Sequence, residues 1–433
     1  MSFSAFYSGL AGLQTNSNRL SVIGNNLANL NTVGFKSSRV SFADIFAQPG
    51  GGAGVNGAGN PQQIGLGVRT AGIQQVHSQG SLQTTALVTD VAIEGNGFFV
   101  LRDVSGAQRY SRAGTFTFDK DGFLVNPAGH FVQGYTAQDP SGTILASGAI
   151  NAIQVPAGLT APPQATSFLI SAINLDGEAQ VAAGSATAES FSTSMSVFDS
   201  LGARHVLTFN FVPVDTDGDD KLDQWDLEVT VPGDDAVGGT PGTPLPIHNE
   251  TIVFDDQGQL ISPAANVSIT TPGWTNNAAA QTIDWQVFDP SGQGLLTGFA
   301  GPSAVSSNNQ DGYPAGELRT LIIDQDGLLS GVFTNGSTLE HARFALANFN
   351  NLNGLLSAGQ NTYLETITSG PPTIGAADSG GRGLLRSNAL ELSNVDITKE
   401  FTDLIISERG YQANSRIITT SDSVIQEALN LKR

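Results

Sequence analysis

Both ends of this 433-residue chain carry apolar residues at seven-residue intervals, and this repeat restricts the fold more than any other feature of the sequence. A seven-residue apolar period is typical of α-helices that pack along one stripe. The N-terminal stripe comprises Phe6, Leu10, Leu13, Leu20 and Leu27. The C-terminal stripe comprises Ile397, Phe401, Leu404, Tyr411, Ile418, Ile425 and Leu429. We therefore predict two terminal helices that form a coiled coil along these seams, and we predict that Gly34 ends the first helix.

The middle of the chain changes to short alternating strands separated by turns. An apolar residue, Asp, two further residues and Gly recur as FDKDG (118–122), FDSLG (198–202), FDDQG (254–258), FDPSG (288–292) and IDQDG (323–327). An Asp side chain can cap the backbone of such a turn, and Gly supplies the left-handed position. We predict β-hairpins at all five copies, and a mixed, mainly β fold with a helix at each end.

Changes in composition along the chain predict nested domains. Residues 1–38 with 394–433 form a helical core domain, and residues 39–69 form a linker that contains the glycine-rich run PGGGAGVNGAGN at 49–60. Residues 70–165 with 312–393 form an inner β domain. Residues 166–311 form an outer β domain. The chain must leave the helical core and return to it, which places the outer domain at the middle of the sequence.

Charge and cysteine content exclude several classes of function. The 39 acidic and 19 basic residues give a net charge of −20, which disfavours binding to nucleic acid or anionic lipid. The absence of cysteine excludes disulfides and thiolate chemistry. The N-terminal residues do not resemble a Sec signal, and no window is apolar enough to span a membrane. Only 13% of residues are charged, and the remaining polarity, from Gly, Ser, Thr, Asn and Gln, is typical of extracellular proteins.

No residue pattern indicates catalysis, and we expect no enzyme activity, no cofactor and no metal. Gly52, Gly54 and Gly57 match GxGxxG, but no strand precedes them and no helix follows. The five histidines are scattered without a triad or ligand-pair spacing. The acidic stretch 215–226 is either a solvated hairpin tip or a calcium loop, although its glycine is misplaced for an EF-hand.

The terminal sequences resemble a known family. SGLAGLQTNSNRLSVIGNNLANLNTVGFKSSRVSFADIF at the start and ALELSNVDITKEFTDLIISERGYQANSRIITTSDSVIQEALNL at the end are similar to the signatures of bacterial flagellar axial proteins, the rod and hook family. GNGFFVL (95–101) and YSRAGTFTFDKDGFLVNPAGHFVQGY (110–135) resemble the inner domain of that family. The segment from NQDGYPAGELRTL to LANFNNLNGL and the long insertion at mid-chain are most similar to the hook members.

The resemblance implies a structural subunit of the flagellar hook, a homopolymer forming a flexible curved tube that transmits torque from rod to filament. It implies an extracellular location at the flagellar base and export through the flagellar type III apparatus without a Sec signal. Implied partners are the distal rod protein, the hook cap and the hook–filament junction proteins. A distal rod subunit of the basal body is the alternative within the family, and a secreted β-rich adhesin or enzyme is a remote alternative.

Energetics and polarity extend this interpretation to the two helices. Burial of the seams supplies roughly 20 kcal/mol, less than the cost of ordering both ends, so we predict that the ends fold only on assembly. Asn25, Asn26, Asn29 and Asn31 crowd the end of the first helix, although asparagine is a poor helix former. They either bond across subunits, where amides avoid the cost of burying charge, or act as solvated caps and turn residues.

Overall fold

The computed structural model describes residues 2–45, 48–49, 63–140, 142–179, 189–214 and 224–430. Helix α1 spans Ser2–Ala28, a 3-10 helix spans Leu352–Gly354 and helix α2 spans Ile397–Asn430. Within the described residues, neither helix combines the length and apolar character needed to cross a bilayer. The mainly β fold with a helix near each end is confirmed.

The strands of the first half are β1 Ser38–Asp44, β2 Gln48–Pro49, β3 Gln63–Ile64, β4 Val68–Gln75, β5 Leu82–Thr84, β6 Val91–Glu94, β7 Phe98–Arg102, β8 Gln108–Ser111, β9 Thr117–Phe118, β10 Leu124–Val125, β11 Phe131–Tyr135, β12 Ile150–Ala152, β13 Thr160–Ala161, β14 Phe168–Asn174, β15 Phe191–Phe198 and β16 Arg204–Val214. Those of the second half are β17 Gln224–Pro232, β18 Pro244–Phe254, β19 Leu260–Ser262, β20 Val267–Thr270, β21 Thr282–Gln286, β22 Leu296–Thr297, β23 Ala304–Gln310, β24 Gly316–Ile323, β25 Leu328–Phe333, β26 Thr338–Phe344, β27 Leu346–Asn348, β28 Leu356–Gly359, β29 Thr362–Leu364, β30 Thr373–Gly375, β31 Leu384–Ser387 and β32 Ala389–Glu391.

The chain divides into two compact units, each discontinuous in sequence. The first unit contains Met1–Ala157, Leu321–Gly331 and Leu339–Arg433, and the second contains Gly158–Thr320 and Val332–Thr338. The first unit therefore holds both helices together with β-structure from both halves of the sequence. The finer division into a helical core, a linker and an inner domain stays a prediction, and residues 50–60 of the glycine-rich run lie outside the described residues.

Strand β7 organises the main sheet of the first unit. It pairs antiparallel with β8 and β11, and β8 pairs with β29, which pairs in turn with β28. Its short apolar sequence FFVLR is almost entirely buried, which is typical of a central strand. Aromatic side chains dominate the core beside it: Phe98, Tyr110, Tyr135, Phe349 and Tyr363.

The second unit contains two five-stranded sheets whose apolar side chains form one core. One sheet is an antiparallel meander of β15 to β19, and the other has the order β20-β21-β14-β22 with β23 also paired to β14. Burial alternates residue by residue along β16, RHVLTFNFVPV, as expected of a strand with one face in a core. All three tryptophans of the chain, Trp225, Trp274 and Trp285, lie in this core.

The five predicted Asp-x-x-Gly turns are all present, and four of them share one set of side-chain hydrogen bonds. The first carboxylate oxygen of Asp119, Asp199, Asp255 and Asp289 accepts the amide N–H groups two and four residues later. At Asp324 the turn is closed by backbone bonds, Gly327 N–H to Asp324 C=O and Asp324 N–H to Leu328 C=O. Asn126 accepts the same pair of amides as the four carboxylates, so the geometry needs an oxygen acceptor and not a charge. The prediction of hairpins at these motifs is confirmed.

These turns predict a specific loss of stability in acid. Hydrogen bonds from Ser291 and its neighbours hold the pKa of Asp289 below its usual range, and those of Ser105 and its neighbours lower the pKa of Asp103 to about 2. A carboxyl with a depressed folded-state pKa stabilises the fold above its unfolded pKa and loses that contribution as pH falls through the folded value. We expect the contribution of these turns to the unfolding free energy to be flat above about pH 5 and to decline below about pH 4. His77 is separate: burial lowers its pKa to about 4, so its contribution already declines below about pH 6.5. Urea titrations across this range test it, and Asp289→Asn should reduce the slope while keeping the turn. A pH-independent unfolding free energy down to about pH 3 would contradict the prediction.

The C-terminal end of α1 and the N-terminal end of α2, which both adjoin the β-structure, are capped in different ways. Helix α2 starts after Asp396, whose side chain accepts the amides of Thr398 at 2.8 Å and Lys399 at 3.2 Å as an N-cap. Helix α1 ends at Ala28, before the predicted stop at Gly34. Gly34 has φ of +70°, and a Cβ there would lie 2.7 Å from the Ala113 nitrogen. Gly34 is thus needed for close approach of the post-helical turn to the sheet.

Candidate assembly interface

Helices α1 and α2 pack antiparallel through small and polar residues. Arg19 donates to Asp403 at 2.7 Å, and Asn26 donates to Glu400 at 3.1 Å. Nearer the start of α1, Gly12 faces Asn414, and a Cβ built on Gly12 would lie 2.7 Å from that amide. As the residue number increases along α1, the number of its contact partner on α2 decreases, so the two helices run antiparallel. The backbones approach closely because glycine and amide residues occupy the contact.

The contact rows keep a seven-residue repeat but consist mostly of positions other than the predicted seams, although the seam residue Ile418 meets Gly9, where a Cβ would lie 3.3 Å from its Cγ1. On α1 the buried residues include Gly9, Gly12, Ile23 and Asn26, spaced by fourteen residues in two rows. On α2, Glu400, Ser407 and Ser421 are buried. A hydrophobic pattern cannot reveal rows of Gly, Asn and Ser, which is why the sequence analysis missed them.

The predicted seams lie beside this contact. Half-buried seam residues are Phe6, Leu13, Leu20, Leu27, Leu404, Ile418 and Ile425. Exposed seam residues are Leu10 at 47%, Ile397 at 46%, Phe401 at 52%, Tyr411 at 39% and Leu429 at 65%. The expectation that the seams form the line of contact within one chain is thus wrong for the exposed members. Their role in assembly stays a prediction.

Exposed apolar side chains flank the α1-facing row of α2 on both sides. Ile397, Phe401 and Ile405 recur at four-residue intervals and lie on one flank. Ile406, Ile417 and Val424 share the opposite flank, because intervals of eleven and seven residues return to nearly the same helix face. Helix α1 covers the stripe between them and reaches the edge of the second flank, where a Cβ on Gly9 would lie 3.3 Å from Ile417 Cγ2. Helix α2 therefore presents two separate apolar surfaces to further molecules.

The four asparagines fall into different environments. The Asn26 carboxamide is buried and fully engaged within the chain: it donates to Ser38 C=O and Glu400 and accepts from Ser38 N–H at 2.9 Å. The structure corrects the prediction that Asn26 bonds across subunits, since its hydrogen bonds hold the base of both helices to strand β1. Asn29 is half-buried and donates to Asn25 C=O, whereas Asn25 and Asn31 are exposed. For these three, contact between subunits stays a prediction.

A buried ionic cluster fastens both helix-bearing segments to the sheet. Glu391, at the end of β32, accepts Lys36 Nζ at 2.6 Å and Arg112 Nε at 2.5 Å. All three side chains are nearly inaccessible to water, at 0%, 3% and 5% exposure. Lys36 follows α1, Glu391 precedes α2, and Arg112 follows β8. The cluster therefore joins the segment that follows α1 and the segment that precedes α2 to the end of strand β8.

Hydrogen bonds satisfy the rest of this cluster. Arg112 also donates to the carbonyls of Gly97, Ile93 and Gly95, and Glu391 accepts the Gly80 amide at 2.8 Å. Burial by itself raises the pKa of the Glu391 carboxyl, but Arg112 and Lys36 together hold that pKa below its usual range. Burial lowers the pKa of Lys36, and the bond to Glu391 opposes that effect. The sequence analysis missed the cluster, and the only available signal was three isolated charges in a chain with few of them.

The remaining candidates from the sequence do not form a site among the described residues. Gly52, Gly54, Gly57 and residues 215–223 of the acidic stretch lie outside them. In the part of the chain that the structure describes, no group of three or more His, Asp or Glu side chains is arranged to hold a metal ion.

Sequence models of four families match successive parts of the chain. They are described as flagella basal body rod protein (residues 6–36), flagellar hook protein FlgE/F/G D1 domain (92–180), flagellar basal body protein FlaE D2 domain (174–313) and flagellar basal body rod FlgEFG protein C-terminal (386–431). These matches include both helix-bearing ends.

Curated relatives and a solved structure agree with the family models. The chain is 39% identical over 468 residues to the flagellar hook protein FlgE of Treponema pallidum (strain Nichols), covering 99% of each chain. It is 34% identical over 438 residues to that of Salmonella typhimurium (strain LT2), covering 100% of each. The crystal structure of Helicobacter pylori flagellar hook protein FlgE2 matches with a TM-score of 0.50 and 16% identity, over 71% of this chain and 100% of that one, and supports the fold.

Proposed function

The chain belongs to the flagellar hook protein family and is a structural subunit of the bacterial flagellar hook, and from this premise we propose how it assembles. Its two apolar flanks on α2 each meet a different neighbouring copy, so that the terminal helices form a continuous inner layer of a tube. The single observation that carries this is the exposure of Phe401 and Ile405 on one flank and of Ile417 and Val424 on the other. Two different surfaces on one helix generate a ring or helical array, whereas a two-fold dimer needs only one self-complementary patch.

The tube is proposed to be curved and flexible and to transmit torque from rod to filament. Low charge and small polar side chains on the strands of the second unit support this, because wet polar contacts can slide and re-form. Ser192 to Asn210 and Ser194 to Thr208 are examples of such side chains on the exposed face of β15 and β16. The chain is proposed to lack catalytic activity and to bind no cofactor.

The cellular location of the protein follows from its membership of the hook protein family. The protein lies in the flagellar hook, outside the cell. We propose export by the flagellar type III apparatus without a Sec signal, and contacts with the distal rod protein, the hook cap and the hook–filament junction proteins.

Electron microscopy of the purified, polymerised chain tests the proposal. Curved tubes are the expected result. Straight, stiff tubes would favour a distal rod subunit. If no tubes form, a secreted adhesin or enzyme would be the remaining candidate. Phe401→Ser and Val424→Ser, on opposite flanks, should each prevent tube formation. Ile367→Ser, which changes a fully exposed side chain of the first unit, is the matched control and should polymerise normally. Tubes formed equally well by both flank variants would refute the two-surface arrangement.

A further inference from the structure

The first unit contains an uncharged recess of about 620 Å³ where α1 reaches the sheet. Its walls include Asn25 from α1, Asn29 from the turn that follows α1, and Gln360 and Asn361 from the turn between β28 and β29. Of the described residues around it, none is Lys, Arg, Asp, Glu or His. The rest of the chain carries a net charge of −20. Two copies of so acidic a chain repel each other, so contacts between copies are least opposed where charge is absent.

The turn at the edge of this recess holds an unusual backbone conformation. Gln360 and Asn361 have φ of +51° and +59°. Asparagine is tolerated there, but glutamine is uncommon in a left-handed conformation, where glycine would be relaxed. Asn361 donates to Val33 C=O and so fixes the turn against the segment that follows α1. An uncommon backbone conformation at the edge of a recess motivates the hypothesis that the Gln360 side chain has a use there.

An unpaired strand edge lies beside the same turn. Strand β28 ends the sheet order β8-β29-β28, and within the described residues its outer edge pairs with no strand. All four residues of β28 are exposed, including Leu356 at 57%. Natural proteins usually protect such edges with charge or proline, and β28, LSAG, has neither.

We propose that this recess and the edge of β28 bind an extended, uncharged segment of a neighbouring copy of this chain. The main chain of that segment pairs with β28, and the amides of Asn25, Asn29 and Gln360 bond to its peptide groups. Amides suit this role because they both donate and accept without the cost of burying charge. The inference rests on the proposed hook polymer and assigns it a second contact, apart from the apolar flanks of α2.

The experiment compares the critical concentration for polymerisation with the melting temperature of the monomer. Gln360→Gly relaxes the turn, so the monomer should melt at the same temperature or higher, while the critical concentration should rise about tenfold or more. Gln360→Asn keeps an amide and tolerates the conformation, so its polymerisation should stay close to that of the unchanged chain. Equal critical concentrations for all three proteins would overturn the proposal.

A charge placed in the recess gives an independent test. Asn25→Asp should raise the critical concentration about tenfold at about 0.1 M salt and much less at about 1 M salt, where the screening length shortens from about 10 Å to about 3 Å. Gln83→Glu adds the same charge on β5, outside the recess, and should have no such effect. A small molecule retained in the recess of the purified monomer, seen by native mass spectrometry, would also overturn the inference. Tubes of normal critical concentration for every recess variant would refute this contact and leave the hook polymer intact, whereas an unchanged chain that forms no tubes would refute the proposed function itself.

Discussion

Replacing Glu391 with glutamine should destabilise the first unit by about 3–5 kcal/mol. The substitution keeps the shape of the side chain but leaves the Lys36 and Arg112 cations buried at 3% and 5% exposure without a counter-charge. Removing one partner of a buried ion cluster costs more than the cluster contributes, because the remaining charges cannot return to water. Both helix-bearing segments are anchored by this carboxylate, so we expect their attachment to the sheet to fail together.

Substitutions at other charged residues should lower the stability of the first unit by less than Glu391→Gln. Lys36→Met leaves Arg112 and Glu391 as a neutral pair, so it should cost less than Glu391→Gln. The exposed pair Arg386–Glu94, with side chains 59% and 46% accessible, provides the matched control. Glu94→Gln should change stability by less than about 1 kcal/mol, the usual value for a surface ion pair.

The location of the tryptophans allows the effect to be assigned to one unit. Trp225, Trp274 and Trp285 all lie in the second unit, so their fluorescence follows its unfolding alone. Hydrogen exchange in β7 and β8 reports on the first unit. In Glu391→Gln, protection of β7 should drop while the midpoint from tryptophan fluorescence in urea stays unchanged. Unaltered exchange in β7 would show that the buried charges are solvated in some other way and that the cluster does not hold the unit together.

The sequence predicted those features whose causes are local. The Asp-x-x-Gly turns form as expected because one side chain and one glycine, three residues apart, determine them. The helices form where apolar residues recur every seven residues. The ionic cluster joins residues separated by 355 and 279 positions, and no local pattern links Lys36 or Arg112 to Glu391.

The register of the helix pair shows a second limit. The seven-residue apolar pattern identifies faces of α1 and α2 that bury apolar surface against a partner. It predicts that each helix is the partner of the other within one chain. The actual contact includes Ile418 of the predicted seam, but much of it uses Gly12, Asn26 and Asn414, which carry no apolar signal. For a subunit of a polymer, the strongest apolar pattern can describe contacts with other copies, which one chain cannot display.

The terminal helices should be unprotected against hydrogen exchange in the dilute monomer and protected by about a thousandfold or more in the polymer. The contact between α1 and α2 consists largely of glycine, amides and one partly exposed ion pair, each worth little in water, with few apolar side chains such as Ile418 beside Gly9. Eight large apolar side chains of α2 stay at least 39% exposed: Ile397, Phe401, Ile405, Ile406, Tyr411, Ile417, Val424 and Leu429. Burying the exposed part of each adds roughly 1 kcal/mol, and that contribution exists only when neighbouring copies cover them.

The position at which protection begins separates this explanation from simple end fraying. Lys36 and Glu391 anchor the chain to the sheet. The amides of β7 and β8, which lie between these two anchors in the sequence, should therefore be protected in monomer and polymer alike. Outside these anchors, Asn26 bonds to Ser38 and Glu400 and so links the bases of both helices to strand β1. Asn394 adds bonds to Ser37 N–H and Val76 C=O at the base of α2. Asn26→Ala should therefore reduce the residual protection at the helix bases of the monomer, while the polymer, in which neighbours supply the apolar cover, keeps most of its protection. If both helices of the lone chain exchange as slowly as β7, their stability comes from the chain itself, and ordering on assembly has no part in export or polymerisation.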